Sequence, residues 1–354
     1  MKIGIIPLYG IGDTLLTTPA LRALKESLKN VEITYFTFSP GTFEVLKYNP
    51  YVDHLIYYPF LKVSKVKALK FLLQYRGKFD VTINFYPSNR VHYNVFAFLL
   101  GARERVGHYY LKSNLMSLNF LKNVTVKEDE HLHVVEENYK LIELLGVRSP
   151  QLYPLQYFLQ DEEIEYADSF LSKNRLHGKI LIGFHPGTSP LKNHEKRRWP
   201  VEYFGELARL IIESSRDFHI MVFGGKDEED LKLKIIKMNA DSGRITAVTT
   251  NSIRETAAIM KYCKIFVSND SGLMHLAAAL NIPVVAIFGP TNPAWVKPWM
   301  TKHKVVSLKL PCSPCFYYSP KPLKCVANLD FKCLKALTPG SVFNAFQELL
   351  EETI

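Results

Sequence analysis

Four segments of the chain combine glycine turns with carboxylates, hydroxyls or cations, the side chains that bind phosphate or move protons. The first is Leu8-Tyr9-Gly10-Ile11-Gly12-Asp13-Thr14. Its glycines let backbone come close to a ligand, and Asp13 sets a carboxylate at the opening of a helix. A dinucleotide fingerprint requires a third glycine where Leu15 stands, and the chain contains neither Gly-Lys-Ser nor Gly-Lys-Thr, so both familiar phosphate loops fail. On these residues alone Asp13 is either a ligand-facing carboxylate or an N-cap for the first-turn N–H groups.

The second segment, His185-Pro186-Gly187-Thr188-Ser189-Pro190, runs on to Lys196-Arg197-Arg198-Trp199-Pro200. Hydroxyls on a turn beside cations suit an oxyanion or phosphate, whereas the cationic run by itself would be a solvated loop. In the third, an apolar strand delivers Asp270-Ser271-Gly272 to a helix start, where free N–H groups and the helix dipole favour an anion. His275 follows in the first turn of that helix. A capping role for Asp270 or Ser271 would account for the turn but not for His275. The fourth, Phe288-Gly289-Pro290-Thr291-Asn292-Pro293, follows the next strand and ends on the same side of one sheet, which outlines a phosphate site.

The elements that position these loops read as alternating strands and amphipathic helices, the pattern of parallel sheets with crossover helices. In the first half, strands are expected at 2–7, 32–37, 54–57, 81–85 and 105–107, with helices at 14–28, 63–75, 91–100 and 134–145. Ser149-Pro150-Gln151-Leu152-Tyr153-Pro154 reads as an interdomain joint. Beyond it strands are expected at 179–184, 219–223, 245–248, 265–268 and 284–288, and helices at 162–173, 201–214, 228–237, 253–262 and 273–280. The expected domains are 1–155, 156–338 and a helix in 339–354 packing back toward the first domain. Two such α/β domains present their strand-to-helix loops to a cleft.

At 354 residues, 47% of them apolar and 22% charged, the chain is large enough for two cores and shows no sign of disorder. No export signal or membrane-crossing run is expected, which points to the cytoplasm. The net charge of +10 has its source in the window Lys62 to Lys127, with twelve Lys or Arg against Asp80 and Glu104. Such a face suits nucleic acid, anionic lipid or a phosphorylated acceptor, or is a solvated surface; no nucleic-acid recognition motif accompanies it. Cys312, Cys315, Cys325 and Cys333, spaced C-x2-C-x9-C-x7-C, admit zinc, an iron–sulfur cluster, disulfides or free thiols. Pro311, Pro314 and Pro320 shape a loop able to stand without a metal, and no metal is expected. Cys263 is expected in the core.

Taken together in this order, the segments resemble glycosyltransferase family 9, the lipopolysaccharide heptosyltransferases. The resemblance rests on Gly12-Asp13, Thr18-Pro19-Ala20-Leu21-Arg22-Ala23-Leu24-Lys25, Pro186-Gly187-Thr188, Arg198-Trp199-Pro200, Asp270-Ser271-Gly272-Leu273-Met274-His275 and Phe288-Gly289-Pro290-Thr291. It implies a GT-B fold of two Rossmann-like domains, an ADP-sugar donor that is a substrate rather than a cofactor, and inverting transfer without a metal. The implied general base is Asp13. The implied donor-binding residues are Thr188, Ser189, Lys196, Arg197, Glu228, Asp270, Ser271, Gly272, His275 and Thr291. Where the family has lysine two places before the tryptophan, this chain has Arg197, with Lys196 adjacent, so the cation facing the diphosphate is open between them. The implied acceptor is an anionic glycolipid at the inner face of the cytoplasmic membrane, met by Gly12, Lys62, Lys65, Lys70, Arg103, Arg105 and Lys112. Alternatives are transfer of another nucleotide sugar to a different surface glycan, or a catalytically silent nucleotide-binding scaffold.

Overall fold

Val284–Phe288 is buried at every residue, and Ile180–His185 and Cys263–Asn269 at all but one each. Strands apolar on both faces need cover on both faces, which parallel sheets obtain from their crossover helices. The computed structural model describes the chain except Tyr9, Ser149, Ser319, Pro320 and Ile354, together with the side chain of Leu61. Those residues of the first glycine turn and of the expected joint therefore lie outside the described residues.

The chain forms two units, Met1–Phe158 with Tyr318, and Leu159–Tyr317 with the residues from Lys321 on. In the first unit the order is β1 (Lys2–Ile5), α1 (Ile11–Leu15), α2 (Thr18–Ser27), β2 (Glu32–Thr37), α3 (Pro40–Leu46), β3 (His54–Tyr57), α4 (Lys65–Leu73), β4 (Val81–Ile83), α5 (Val91–Leu100), β5 (Glu104–Tyr109), β6 (Val124–Lys127) and α6 (Val134–Glu143). The second contains α7 (Asp161–Lys173), β7 (Ile180–His185), α8 (Val201–Ser214), β8 (Phe218–Val222), α9 (Glu229–Met238), β9 (Ile245–Ala247), α10 (Ile253–Met260), β10 (Cys263–Asn269), α11 (Gly272–Ala279), β11 (Val284–Phe288), α12 (Pro293–Val296), β12 (His303–Ser307), α13 (Lys332–Lys335) and α14 (Pro339–Glu351).

Each unit holds one six-stranded sheet, ordered β3-β2-β1-β4-β5-β6 and β12-β11-β10-β7-β8-β9, with every pairing parallel. Counted from its own first strand, each sheet has the Rossmann order, in which the winding reverses between β1 and β4 and between β7 and β10. Helices leave to opposite faces at those points, and the loops following β1, β7 and β10 border the crevices that result.

Local sequence explains most starts and stops. The single helix expected over 14–28 is two, α1 and α2, because the Thr17 and Thr18 hydroxyls donate to the carbonyls of Thr14 and Leu15 and Pro19 sits in the first turn of α2. Ser39, Ser64, Ser252 and Thr338 cap α3, α4, α10 and α14. The sequence reading lacked α3, the short α12 and α13, and the strands β6 and β12. Pro40 and Gly41 disguise α3, and β6 and β12 are edge strands without a continuous apolar run. In the first unit an aromatic group of Phe36, Phe38, Phe60 and Phe96 packs edge to face beneath α4 and α5.

The C-terminal helix corrects an expectation. Val342, Phe346 and Leu349 of α14 are fully buried in the core of the second unit with Phe204, Ile211 and Phe218, so its apolar stripe is spent there and not on the first domain. Phe346→Ala should lower the free energy of unfolding by about 3 to 5 kcal/mol. The exposed Gln347→Ala should change it by no more than about 0.5 kcal/mol in the same urea titration. Equal, small effects would mean that the helix is not packed as described.

Candidate active site

In the first unit the turn after β1 places Asp13 third in α1. Gly10 occupies the N-cap position without a side-chain bond, so Asp13 stands within the first turn and not at the N-cap itself. A Cβ on Gly10 would lie 2.7 Å from the Asp13 Oδ2, so glycine is what lets the carboxylate fold back over the turn. The Thr14 hydroxyl donates to the Gly10 carbonyl at 2.9 Å and the Leu16 N–H to that of Gly12 at 3.0 Å, which fixes the turn from within. Asp13 itself is half-buried.

The basic residues divide. Lys62, Lys65, Lys70, Arg103 and Lys112 are exposed. Arg105 departs from its expected acceptor role: its Nε and Nη1 donate to the carbonyls of Leu121 (2.6 Å) and Ala102 (2.9 Å), and it braces β5. Lys122 is buried, donating to Asn119 Oδ1 at 2.7 Å, and burial pushes its ammonium down to about 7. The cationic face is therefore narrower than the sequence count implies.

In the second unit the loops after β7, β10 and β11 meet at the carboxyl edge of the sheet. Ser271 is the N-cap of α11 and accepts from the Met274 N–H, so Gly272 opens the helix and His275 closes its first turn. Asp270 and Arg197 form a half-buried ion pair, Nη1 to Oδ2 2.7 Å, and the guanidinium lies 5.5 Å from the Phe316 ring centre. Lys196 is exposed and outside this pair, so of the two neighbouring cations Arg197 belongs to the buried network. Thr188 is buried and donates its hydroxyl to the His194 carbonyl at 2.9 Å, while Ser189 is exposed and accepts from the Leu191 N–H.

Two residues that the sequence did not single out tie the loops together. Asn269 is fully buried, donates to the Pro186 carbonyl at 2.8 Å and accepts from the Trp199 N–H at 3.0 Å, joining the end of β10 to both ends of the loop after β7. His185, last in β7, bonds Ser271 Oγ through Nδ1 (2.9 Å) and Glu228 Oε2 through Nε2 (3.1 Å). Both lie at strand ends, the one signal that would have found them. Glu228 is turned inward by this contact, by the Gly225 N–H at 3.0 Å and by Arg198 at 3.6 Å. Burial alone would raise its pKa, but His185, the Gly225 N–H and Arg198 outweigh that and hold the carboxyl below the usual range. It packs so tightly that a Cβ on Gly187 would fall 1.8 Å from its Oε1.

Several polar atoms of these loops have no hydrogen-bond partner although buried, among them His275 Nδ1, Thr291 Oγ1 and Arg197 Nε. Orphaned groups of this kind are uncommon in a folded core and mark a place for a ligand. Burial pushes the His275 imidazole down to about 4, with Asp270 opposing and Arg197 adding to the effect, so the ring is neutral at pH 7 and offers a neutral donor or acceptor. Cys312, Cys315, Cys325 and Cys333 all line one small apolar pocket, with every thiol free. Among the described residues no group of three or more His, Cys, Asp or Glu side chains is arranged to hold a metal ion. Cys263 is buried in the core.

Two Rossmann-type units, each built on one six-stranded parallel sheet, define a GT-B fold. The chain belongs to glycosyltransferase family 9 (heptosyltransferase), whose model matches residues 69–326. It is 28% identical to lipooligosaccharide heptosyltransferase 2 of Campylobacter jejuni over 360 aligned positions, covering 100% of this chain and 99% of that protein. Among solved structures it is similar to a family 9 glycosyltransferase of Veillonella parvula (24% identity, TM-score 0.81, 99% and 97% of the two chains). It is also similar to the ADP-heptose lipopolysaccharide heptosyltransferase II of E. coli (21% identity, TM-score 0.76, 99% of both).

The buried imidazole gives the site an acid signature. Its folded pKa of about 4 lies below the ordinary 6.5, so as pH falls the unfolded chain takes up the proton first. The stability linked to His275 is full above about pH 6.5 and is lost on the way to about pH 4, by roughly 3 kcal/mol. His275→Gln should flatten that part of the decline in urea unfolding measured at about pH 7.5 and about pH 4.5. His219, also pushed down to about 4 by burial, should keep its own share. An unchanged acid slope would mean that the proton is taken up elsewhere.

Proposed function

We propose that this glycosyltransferase moves heptose from ADP-heptose to the inner core of lipopolysaccharide, onto Kdo or the first heptose, with inversion and without a catalytic metal. The observation that carries the donor half is the set of unpartnered buried atoms on His275, Thr291 and Arg197 around the start of α11. That group offers N–H donors, a neutral imidazole and a cation to a diphosphate. The names of the relatives supply the sugar: a full-length match is a lipooligosaccharide heptosyltransferase, and a fold neighbour is described with ADP-heptose.

In this reading the acceptor hydroxyl attacks the anomeric carbon while Asp13 takes its proton, and the bond from that carbon to the diphosphate oxygen breaks. Negative charge grows on the departing ADP, where Arg197, the first N–H groups of α11 from Gly272 on, His275 and Thr291 meet it. Arginine in this role grips two oxygens at once, which lysine cannot do. Asp270 holds Arg197 in place and is available to a heptose hydroxyl. Ser271, with its hydroxyl between His185 and the helix start, shapes the loop, as Thr188 and Glu228 do; Ser189 and Lys196 stand at the exposed rim.

The acceptor half is supported by the exposed cations Lys62, Lys65, Lys70, Arg103 and Lys112, which suit a phosphorylated, Kdo-bearing glycolipid. Because every strand of the first sheet is parallel, the segment after β3 that begins this series emerges at the same edge as the Asp13 turn. Work on such an acceptor places the enzyme as a peripheral protein at the inner face of the cytoplasmic membrane. No helix among the described residues is long and apolar enough to cross one.

The test is a panel of ADP-heptose, ADP-glucose, UDP-glucose and GDP-mannose, followed by nucleotide release with Kdo-lipid A or heptosylated core. ADP release from ADP-heptose alone, dependent on acceptor and reduced at least about 100-fold in Asp13→Ala, is expected. Release from another donor would move the enzyme to a different glycan. Binding without turnover on any acceptor would favour a silent scaffold. Separately, replacing Lys62, Lys65 and Lys70 together by Glu should raise the acceptor KM severalfold, more at low salt, with kcat little changed. Unaltered KM would remove those lysines from the binding face.

A further inference from the structure

The loop from Tyr110 to Leu121, between β5 and β6, is built inside out. Polar residues of its second half face inward: Ser117 and Asn119 are 4% and 3% exposed, while Leu115, Met116 and Phe120 are 79%, 78% and 67% exposed. The polar side chains have structural employment that explains their burial. Asn114 closes the loop by accepting from the Tyr110 N–H at 2.9 Å and donating back to its carbonyl, and the Ser117 hydroxyl donates to the Asn114 carbonyl at 3.1 Å. Asn94 of α5 donates to the Ser117 carbonyl at 2.8 Å, Asn119 to the His108 carbonyl at 3.0 Å, and Lys122 to Asn119 Oδ1 at 2.7 Å. Glu128 takes the Leu111 N–H at 2.6 Å and Asn89 reaches the Lys112 carbonyl at 2.9 Å. The loop is thus pinned on its inner side, and three large apolar side chains are presented outward on a braced frame.

Exposing three such side chains to water forgoes their burial, so the arrangement calls for an apolar partner. Charge selects which one. From Arg105 to Lys127 the chain contains no Asp or Glu; Lys112 in this loop and Lys127 at the end of β6 are exposed, and Asp129 and Glu130 follow beyond them. Apolar tips with Lys112 in the same loop and Lys127 at the same edge of the sheet match the boundary of an anionic bilayer, where the tips enter the acyl region and the cations meet headgroups. Position agrees. The loop follows β5, and in an all-parallel sheet it leaves from the same edge as the Asp13 turn after β1 and the Lys62 segment after β3.

We infer that Leu115, Met116 and Phe120 form a membrane-insertion tip that docks the first unit on an anionic lipid surface. This deepens the glycolipid-acceptor reading by naming the surface, but lipid binding itself does not depend on which sugar is transferred.

The experiment is co-sedimentation of the full chain with phosphatidylcholine vesicles, with and without phosphatidylglycerol. The wild type is expected to bind the mixed vesicles, more weakly at high salt, and the pure phosphatidylcholine vesicles less. Leu115→Ser, Met116→Ser and Phe120→Ser together should weaken binding at least about tenfold. Because all three side chains are exposed, the variant should fold, and it should keep its turnover on a water-soluble acceptor fragment. Asp13→Ala should bind vesicles as the wild type does, so a failed transfer reaction with intact vesicle binding would count only against the proposed function. Equal binding by the triple-serine variant would overturn the insertion tip. So would a wild type that ignores vesicles but sediments as a dimer that the triple substitution splits, since the loop would then be a protein interface.

Discussion

Both sheets reverse their winding once, between β1 and β4 and between β7 and β10, and nearly everything functional in the chain depends on that. At a reversal the neighbouring helices depart to opposite faces, so the loops between them have no helix covering them and leave a crevice. Asp13 stands in the first turn of α1, directly after the loop that follows β1. His185 and Thr188 follow or end β7, and Asp270, Ser271 and His275 follow β10. The proposed chemistry therefore lies where parallel topology leaves backbone N–H groups and side chains uncovered, and the rest of each sheet serves to hold those few strand ends still.

Holding them still takes buried polar structure, which is costly unless fully paired. In the second unit the pairing is nearly complete: Asn269 joins β10 to the loops at Pro186 and Trp199, Trp199 donates onward to the Leu337 carbonyl, and Glu228 with His185 fixes Ser271. The close packing of Glu228 against Gly187 leaves no room for any side chain there. Against this background the exceptions stand out. A buried group without a partner costs on the order of 1 to 3 kcal/mol, and the chain carries several at the same edge. In the proposed reading a diphosphate satisfies them, and the cost in the free protein becomes a source of affinity for the ligand.

The fold was legible in the sequence wherever strands are buried on both faces, because a continuous apolar run next to a glycine turn has few other readings. β2 and β11 came out residue for residue, whereas of the exposed edge strands β3 was found and β6 and β12 were not. The site was legible in its glycine, hydroxyl and histidine loops and not in its cross-braces. Asn269 and His185 act through partners more than eighty residues away in the chain, and no local pattern encodes such pairings. The same limit explains Glu228 and Arg105. Each has the charge that a ligand contact requires, and only the folded chain shows that an inner partner has claimed it.

Lys122 makes that limit quantitative in its own neighbourhood. Counted by sequence it is one more surface cation, yet it lies buried beneath the Asn119 amide with its ring neighbour Tyr110 at 4.9 Å, its ammonium weakened by loss of water. Gly107 makes room for it, since a Cβ there would meet the lysine chain at 2.7 Å. A cation removed from the surface in this way adds nothing to the long-range attraction of an anionic partner but helps to secure the loop above it, whose apolar tips then stay exposed. The charge that steers the protein and the charge that stiffens it are thus separate sets of residues, and a count of Lys and Arg along the chain cannot tell one from the other.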